Sequence, residues 1–182
     1  MYIDQGWLSD IVHKPSPNFN SRPQGMCPQL VVIHNISLPA GEFGTGCVEA
    51  LFCNALDCSA HDSFNDLVGL KVSAHLLVDR CGQITQFVSF DDRAWHAGVS
   101  SFKGRDNCND FSIGIELEGT DNLAYTETQY SALRHVLMLL RRHYTLSDDA
   151  IVGHSDIAPG RKTDPGAAFD WQRISDVLNR SV

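Results

Sequence analysis

Residues 153–166, GHSDIAPGRKTDPG, set a histidine, two aspartates, a lysine and an arginine among three glycines and two prolines. Gly and Pro at that density read as a loop rather than a helix or strand. Two short apolar runs, LVVIH ending at His34 and AIVGH ending at His154, each close on a histidine. A buried strand fixes the backbone beneath such a ring, which is what a ligand needs. Each histidine taken singly also fits a structural reading, with its ring satisfied by a backbone carbonyl. Together with Asp164 they make two imidazoles and one carboxylate. That set suits a catalytic zinc and leaves a fourth position for water. Spacing alone does not decide between these readings, since His34 and His154 lie far apart in the chain.

A water activated in this way needs a base beside it. Glu116 is a candidate, mid-strand in FSIGIELEG, and Glu118 on the same face reads as its solvent-facing neighbour. Chain position does not choose between them. Lys162, two residues before Asp164, could stabilise the negative oxygen formed when water attacks a carbonyl. Asp156 reads as a hydrogen-bonding support for the loop, His75 as a core residue, and His96 in AWHAG as part of a loop that could line a cleft.

These residues require particular elements to hold them. LVVIHN, residues 30–35, is apolar and β-branched and predicts a buried strand. VSAHLLVD and QITQFVSF flank Asp79–Gly82 and predict a hairpin. In residues 111–119, Phe111, Ile113, Ile115 and Leu117 alternate with Ser112, Gly114, Glu116 and Glu118, a strand with one polar face. AIVGH predicts another short buried strand. Thr126 and Gln129 form a capping box ahead of a helix whose buried stripe is Tyr130, Leu133, Val136, Leu137, Leu140 and Tyr144. Shorter helices are expected over 47–56 (Val48, Leu51, Phe52 and Ala55 inward) and over 169–180 (Phe169, Ile174, Val177 and Leu178 inward). Residues 1–29 and the AWHAGVSSFKGRDNCND stretch read as irregular, and 57–70 as ambiguous. Strands with interspersed helices give one α/β domain, residues 1–182, around a mixed sheet flanked by helices.

The 182 residues suit one domain, and the net charge of −8 argues against a nucleic-acid binder driven by phosphate contacts. No stretch reaches membrane-spanning length, and the N-terminus lacks the basic-then-apolar pattern of a secretory signal. The six cysteines form no C-x-x-C pair. With no signal they read as reduced thiols of a cytoplasmic protein.

Six segments in order, VVIHNISLP, VSAHLLVDRCGQITQFV, RAWHAGVSSFKGR, CNDFSIGIELEG, GHSDIAPGRKTDPG and FDW, resemble the zinc-dependent N-acetylmuramoyl-L-alanine amidases. Within that family the likeness is greatest to the cytoplasmic anhydromuramoyl-peptide amidases, and it covers roughly residues 5–171. The resemblance implies the fold of phage amidases and peptidoglycan recognition proteins. It implies Zn2+ held by His34, His154 and Asp164, with Glu116 as acid/base and Lys162 as charge stabiliser. It implies hydrolysis of the amide between (1,6-anhydro)-N-acetylmuramic acid and L-Ala in cell-wall recycling, by a monomer in the cytoplasm. Asn35, Lys71, Trp95 and Arg161 are the implied substrate contacts. The chain departs from the family at Lys71 and Asn107, where Arg is usual. Lysine keeps the charge but loses the bidentate fork for a carboxylate. A binding module of the same fold would lack a ligand or Glu116, and this chain keeps all of them.

Overall fold

The computed structural model describes residues 1–178. Its centre is a six-stranded mixed sheet in the order Ile151–Gly153, Leu30–Ile36, Ser112–Glu118, Leu76–Val78, Ile84–Gln86, Val12–His13. The first four strands are mutually parallel; Leu76–Val78 then turns back into Ile84–Gln86 as the expected hairpin. Val12–His13 adds to the far edge, parallel to Ile84–Gln86.

The two longest strands set the faces. Ile113, Ile115 and Leu117, with Val31 and Ile33 beside them, face the helix Glu127–Tyr144, whose Tyr130, Leu133, Val136, Leu137 and Leu140 complete the main core. Thr126 accepts a hydrogen bond from the Gln129 amide, and Gln129 Oε1 accepts one from the Thr126 amide, closing the capping box. The same glutamine is fully buried, and its Nε2 donates to the carbonyls of Val78 and Glu118, tying the helix start to two strands. Leu30, Val32 and His34 face the other way, level with Ser112, Gly114 and Glu116 in the strand register.

Several expectations need correction. The face carrying Ser112, Gly114, Glu116 and Glu118 is polar but not solvated: all seven residues of the strand are buried. Glu118 is 6% exposed, and its carboxylate accepts the Gly44 amide at 2.6 Å and the Arg80 amide at 3.2 Å. Phe111 does not share the face of Ile113. It precedes the strand and packs with Leu30, Val32 and Cys108 beneath the opposite face. Residues 1–29 are not wholly irregular but hold four short strands, one of them the sheet edge Val12–His13. The AWHAGVSSFKGRDNCND stretch carries a small strand pair, Ser101–Phe102 with Arg105–Asp106, and a 3-10 turn over Cys108–Asp110. The ambiguous 57–70 region contains the 3-10 turn Asp62–Leu67. The first helix, Cys47–Phe52, stops short because Asn54 takes the left-handed conformation, leaving Ala55 exposed. The last helical segment begins at Trp171 as a 3-10 turn and becomes α-helical over Ser175–Leu178. Its expected extension through 180 and the inward placement of Leu178 lie outside the described residues and side chains.

Candidate active site

His34 and Glu116 are register partners on adjacent parallel strands, so one rung of the sheet presents both to the same face. The His34 strand continues two residues past the histidine to Ile36, so His34 is interior to the strand rather than its end. Ile151–Gly153 pairs along the other side of that strand. His154 follows it directly, as the first residue of a helical turn, His154–Ile157, where the composition suggested only loop. Asp156 supports that turn by accepting the Gly153 amide at 2.7 Å. The chain then returns so that the Asp164 carbonyl accepts the Ser155 amide at 3.0 Å, bringing the Asp164 carboxylate back over the two histidines.

The three donors converge. His34 Nδ1 lies 2.9 Å from His154 Nδ1 and 3.1 Å from Asp164 Oδ2, and His154 Nδ1 lies 3.0 Å from that same oxygen. Tetrahedral zinc with bonds of about 2.0–2.1 Å has ligand–ligand edges of about 3.3 Å, so this triangle is slightly contracted but of the right size for one small cation. The tautomer fits as well. His154 Nε2 is 3.1 Å from the Ala97 carbonyl, which can only accept. With the ring hydrogen on Nε2 and donated to that carbonyl, the Nδ1 lone pair of a neutral ring points at the shared centre, as a metal ligand requires.

Electrostatics agrees with that state. Burial pushes the His34 ring down to about 4, against the opposing hydrogen bond of Asp164, so the imidazole is neutral at neutral pH. Burial alone would raise Asp164, but its hydrogen bonds with His154 and His34 outweigh it and hold the carboxyl below its usual range. Imidazole nitrogens and an ionised carboxylate are the donor set a divalent zinc site uses.

Glu116 differs from both acidic neighbours. It is 8% exposed, and Oε2 is buried without a hydrogen-bond partner. Burial, then the nearby charge of Asp164, push its carboxyl well above the usual carboxylate range, with Lys162 opposing. A buried carboxyl with a free oxygen and a raised affinity for protons suits proton transfer. Lys162 is exposed; it lines a cleft of about 530 Å³ together with Asn35, Arg161, Asp164, Thr120 and Asp121.

The structure thus gathers Asn35, Arg161 and Lys162 beside Asp164, but it leaves Lys71 and Trp95 elsewhere. The Asn35 amide donates to Asp121 at 2.8 Å and to the Pro165 carbonyl at 3.1 Å, bracing the loop. Arg161 donates to the Ala97 and Val99 carbonyls, both at 2.7 Å. The Trp95 indole donates to Asn20, and its backbone pairs with Ser73. Lys71, on that paired segment, lines a separate small cavity with Leu51, Leu56 and Leu67.

Sequence reasoning missed what lies behind the ligands. His34 Nε2 is 2.9 Å from His96 Nδ1, and His96 Nε2 is 3.1 Å from Ser112 Oγ. His75 is fully buried next to His96, and Arg22 is buried below it, donating to the carbonyls of Phe90, Asn109, Asp110 and Ser112. Burial pushes this arginine down to about 10. The alternation of Ser112, Gly114 and Glu116 was the available signal, since it placed a hydroxyl and a gap on the face of the acid/base.

Two imidazoles, a carboxylate and a buried glutamate whose Oε2 has no partner, gathered on one face of the parallel strands, suit metal-assisted hydrolysis. Residues 24–167 match the family model of N-acetylmuramoyl-L-alanine amidase. A 1,6-anhydro-N-acetylmuramyl-L-alanine amidase, AmpD, of Citrobacter freundii is 52% identical across 100% of this chain and 97% of its own. A crystal structure of a selenomethionine AmpD derivative superposes with a TM-score of 0.95 at 52% identity, covering 97% of this chain and 99% of the other. The N-acetylmuramyl-L-alanine amidase AmiD from Escherichia coli, in complex with anhydro-N-acetylmuramic acid-L-Ala-D-gamma-Glu-L-Lys, superposes with a TM-score of 0.60 at 28% identity, covering 86% of this chain and 60% of the other. The chain belongs to the N-acetylmuramoyl-L-alanine amidase family, and it is an amide hydrolase.

Proposed function

We infer that the protein hydrolyses the amide between (1,6-anhydro)-N-acetylmuramic acid and the L-Ala of the stem peptide in peptidoglycan turnover fragments, using one zinc ion held by His34, His154 and Asp164. The observation that carries this reading is the triangle of three donor atoms, with edges of 2.9 to 3.1 Å, beside a buried Glu116 oxygen that has no partner. The near full-length likeness to anhydromuramyl-L-alanine amidases supplies the substrate class. A single amidase domain spans residues 1–182.

Zinc in this position supplies Lewis acidity toward the scissile carbonyl and toward a water. Glu116 takes a proton from the attacking water and returns it to the leaving amine as the C–N bond breaks, which its raised proton affinity favours. Lys162 faces the cleft and stabilises the negative charge that develops on the carbonyl oxygen. Asn35 and Arg161 border the same cleft and contact the peptide; Trp95 and Lys71 are not among the residues that line it.

The enzyme works as a monomer in the cytoplasm on soluble recycled fragments rather than on the wall. Among the described residues no helix is long and apolar enough to cross a membrane, and the net charge of −8 gains little attraction to an anionic polymer. Purified protein is expected to contain about one zinc per chain. It is expected to release peptide from anhydromuramoyl-tripeptide in strong preference to insoluble peptidoglycan in direct competition. Full activity after stripping with a strong chelator would refute the metal assignment. Comparable specific release from both substrates would refute the recycling role.

A further inference from the structure

His154 and His34 face the same centre through Nδ1, but their far nitrogens are held differently. His154 Nε2 meets a carbonyl, which accepts its hydrogen in the tautomer a metal ligand needs. His34 Nε2 meets a second imidazole, His96, whose Nδ1 could in principle either accept or donate. If His96 Nδ1 carried the hydrogen, the His34 hydrogen would be forced to Nδ1, pointing into the triangle of donors and blocking it.

The surroundings of His96 suit the acceptor role. Its Nε2 lies 3.1 Å from Ser112 Oγ, a hydroxyl able to accept the Nε2 hydrogen and leave Nδ1 as an acceptor. The backbone beneath the ring is pinned by Asn109, whose Oδ1 accepts the amides of His96 at 3.1 Å and Ala97 at 2.8 Å. The ring has a berth in the sheet at Gly114. A Cβ there would stand 2.4 Å from His96 Cγ, so only glycine leaves room. Ser112 and Gly114 lie two residues apart on the face of the strand that also carries Glu116. On the far side His75 is locked in one tautomer, because its Nδ1 accepts the Gly114 amide at 3.0 Å and its Nε2 meets the Asp92 carbonyl at 3.1 Å.

We propose that His96 is a positioning residue for His34: held by Ser112 and seated over Gly114, it accepts the His34 Nε2 hydrogen and keeps the His34 Nδ1 lone pair aimed at His154 and Asp164. This rests on the metal-centre reading above. Partners of this kind orient ligands and typically change metal affinity by ~10–100-fold when removed. The role differs from filling space, because it depends on an acceptor at one atomic position. An asparagine can present Oδ1 close to where His96 Nδ1 stands; alanine cannot.

The test measures zinc dissociation constants by chelator competition for the wild type, His96→Ala, His96→Asn and Ser112→Ala. Thermal unfolding of each metal-free protein is followed alongside. The expected result is a loss of ~10–100-fold in zinc affinity for His96→Ala, recovery of most of that loss in His96→Asn, and a smaller loss for Ser112→Ala, with similar metal-free unfolding. Should the alanine variant fail to fold, recovery by asparagine and weakening by Ser112→Ala carry the same information. A wild type that takes up no zinc overturns the metal-centre reading and this role with it. A wild type that binds zinc while the variants bind it equally well overturns the His96 role alone. Equal losses for alanine and asparagine also overturn it, since they would reduce His96 to packing.

Discussion

Replacing Glu116 with glutamine separates proton transfer from structure. The change preserves shape and leaves the ligand triangle untouched, but an amide cannot accept the proton of an attacking water. Turnover at neutral pH should fall by roughly 10²–10⁴-fold while zinc content stays the same. The stability of the metal-free protein should move the opposite way. Glu116 is buried, its Oε2 has no partner, and its folded carboxyl titrates well above the usual range because of burial and then the charge of Asp164. As pH rises, the unfolded chain releases this proton first and the folded chain retains it. The contribution to stability is complete below the unfolded pKa and is lost progressively up to the folded one. One proton corresponds to about 1.4 kcal/mol per pH unit across that window. Glutamine is neutral in both states and has no such slope. Urea unfolding with chelator present should therefore show Glu116→Gln gaining on wild type as pH rises above the unfolded pKa, at up to about 1.4 kcal/mol per pH unit until the folded carboxyl ionises, with the other titrating groups cancelling. Parallel stability curves would refute the burial reasoning, and activity retained within a factor of ten would refute the proton-transfer role.

Glu118→Gln should be far milder in turnover, because that carboxylate is spent on the amides of Gly44 and Arg80; a loss equal to that of Glu116→Gln would exchange their roles. Lys162→Ala should lower kcat with little change in KM if its charge acts in the transition state, and a mutant that only raises KM would make it a binding residue. Arg22→Met should destabilise by at least ~3 kcal/mol in denaturant titration, since it orphans the four carbonyls of Phe90, Asn109, Asp110 and Ser112. Thr126→Ala should cost about 1 kcal/mol by removing the helix cap without altering turnover at low temperature.

The strands that build the site were legible because parallel buried strands read as apolar runs, and the long helix because its stripe and capping box agree. The donors were legible as residue types but not as a triangle: nothing local in residues 30–35 says that residue 164 returns to them. That proximity is a product of topology. The role of Glu118 was misread for a related reason. Alternation reports which residues share a face, but not whether that face meets water, and here the 38–46 loop covers it through Gly44. Phe111 was misplaced because the period was extended one turn too far, past the 3-10 turn Cys108–Asp110 that resets it. The short strands of residues 1–29 left no pattern because two or three residues carry no period. Arg22 could not be foreseen, since all but one of its partners, the His75 ring, are backbone carbonyls, and a carbonyl has no sequence signature.

Glu116 and His34 stand on one rung of paired parallel strands, and this makes the chemistry sensitive to counting as well as to residue type. One residue inserted between Ser112 and Glu116 would turn the carboxyl toward the long helix and bring an isoleucine to the cleft, whatever its identity. Placed before Gly114, the same insertion would also move the glycine away from His96. Added or lost residues in the turn after Glu118 would leave both in place. Over this strand, descendants of the sequence tolerate some substitutions but no change of length, and most of their variation in length must accumulate in the loops that frame the cleft.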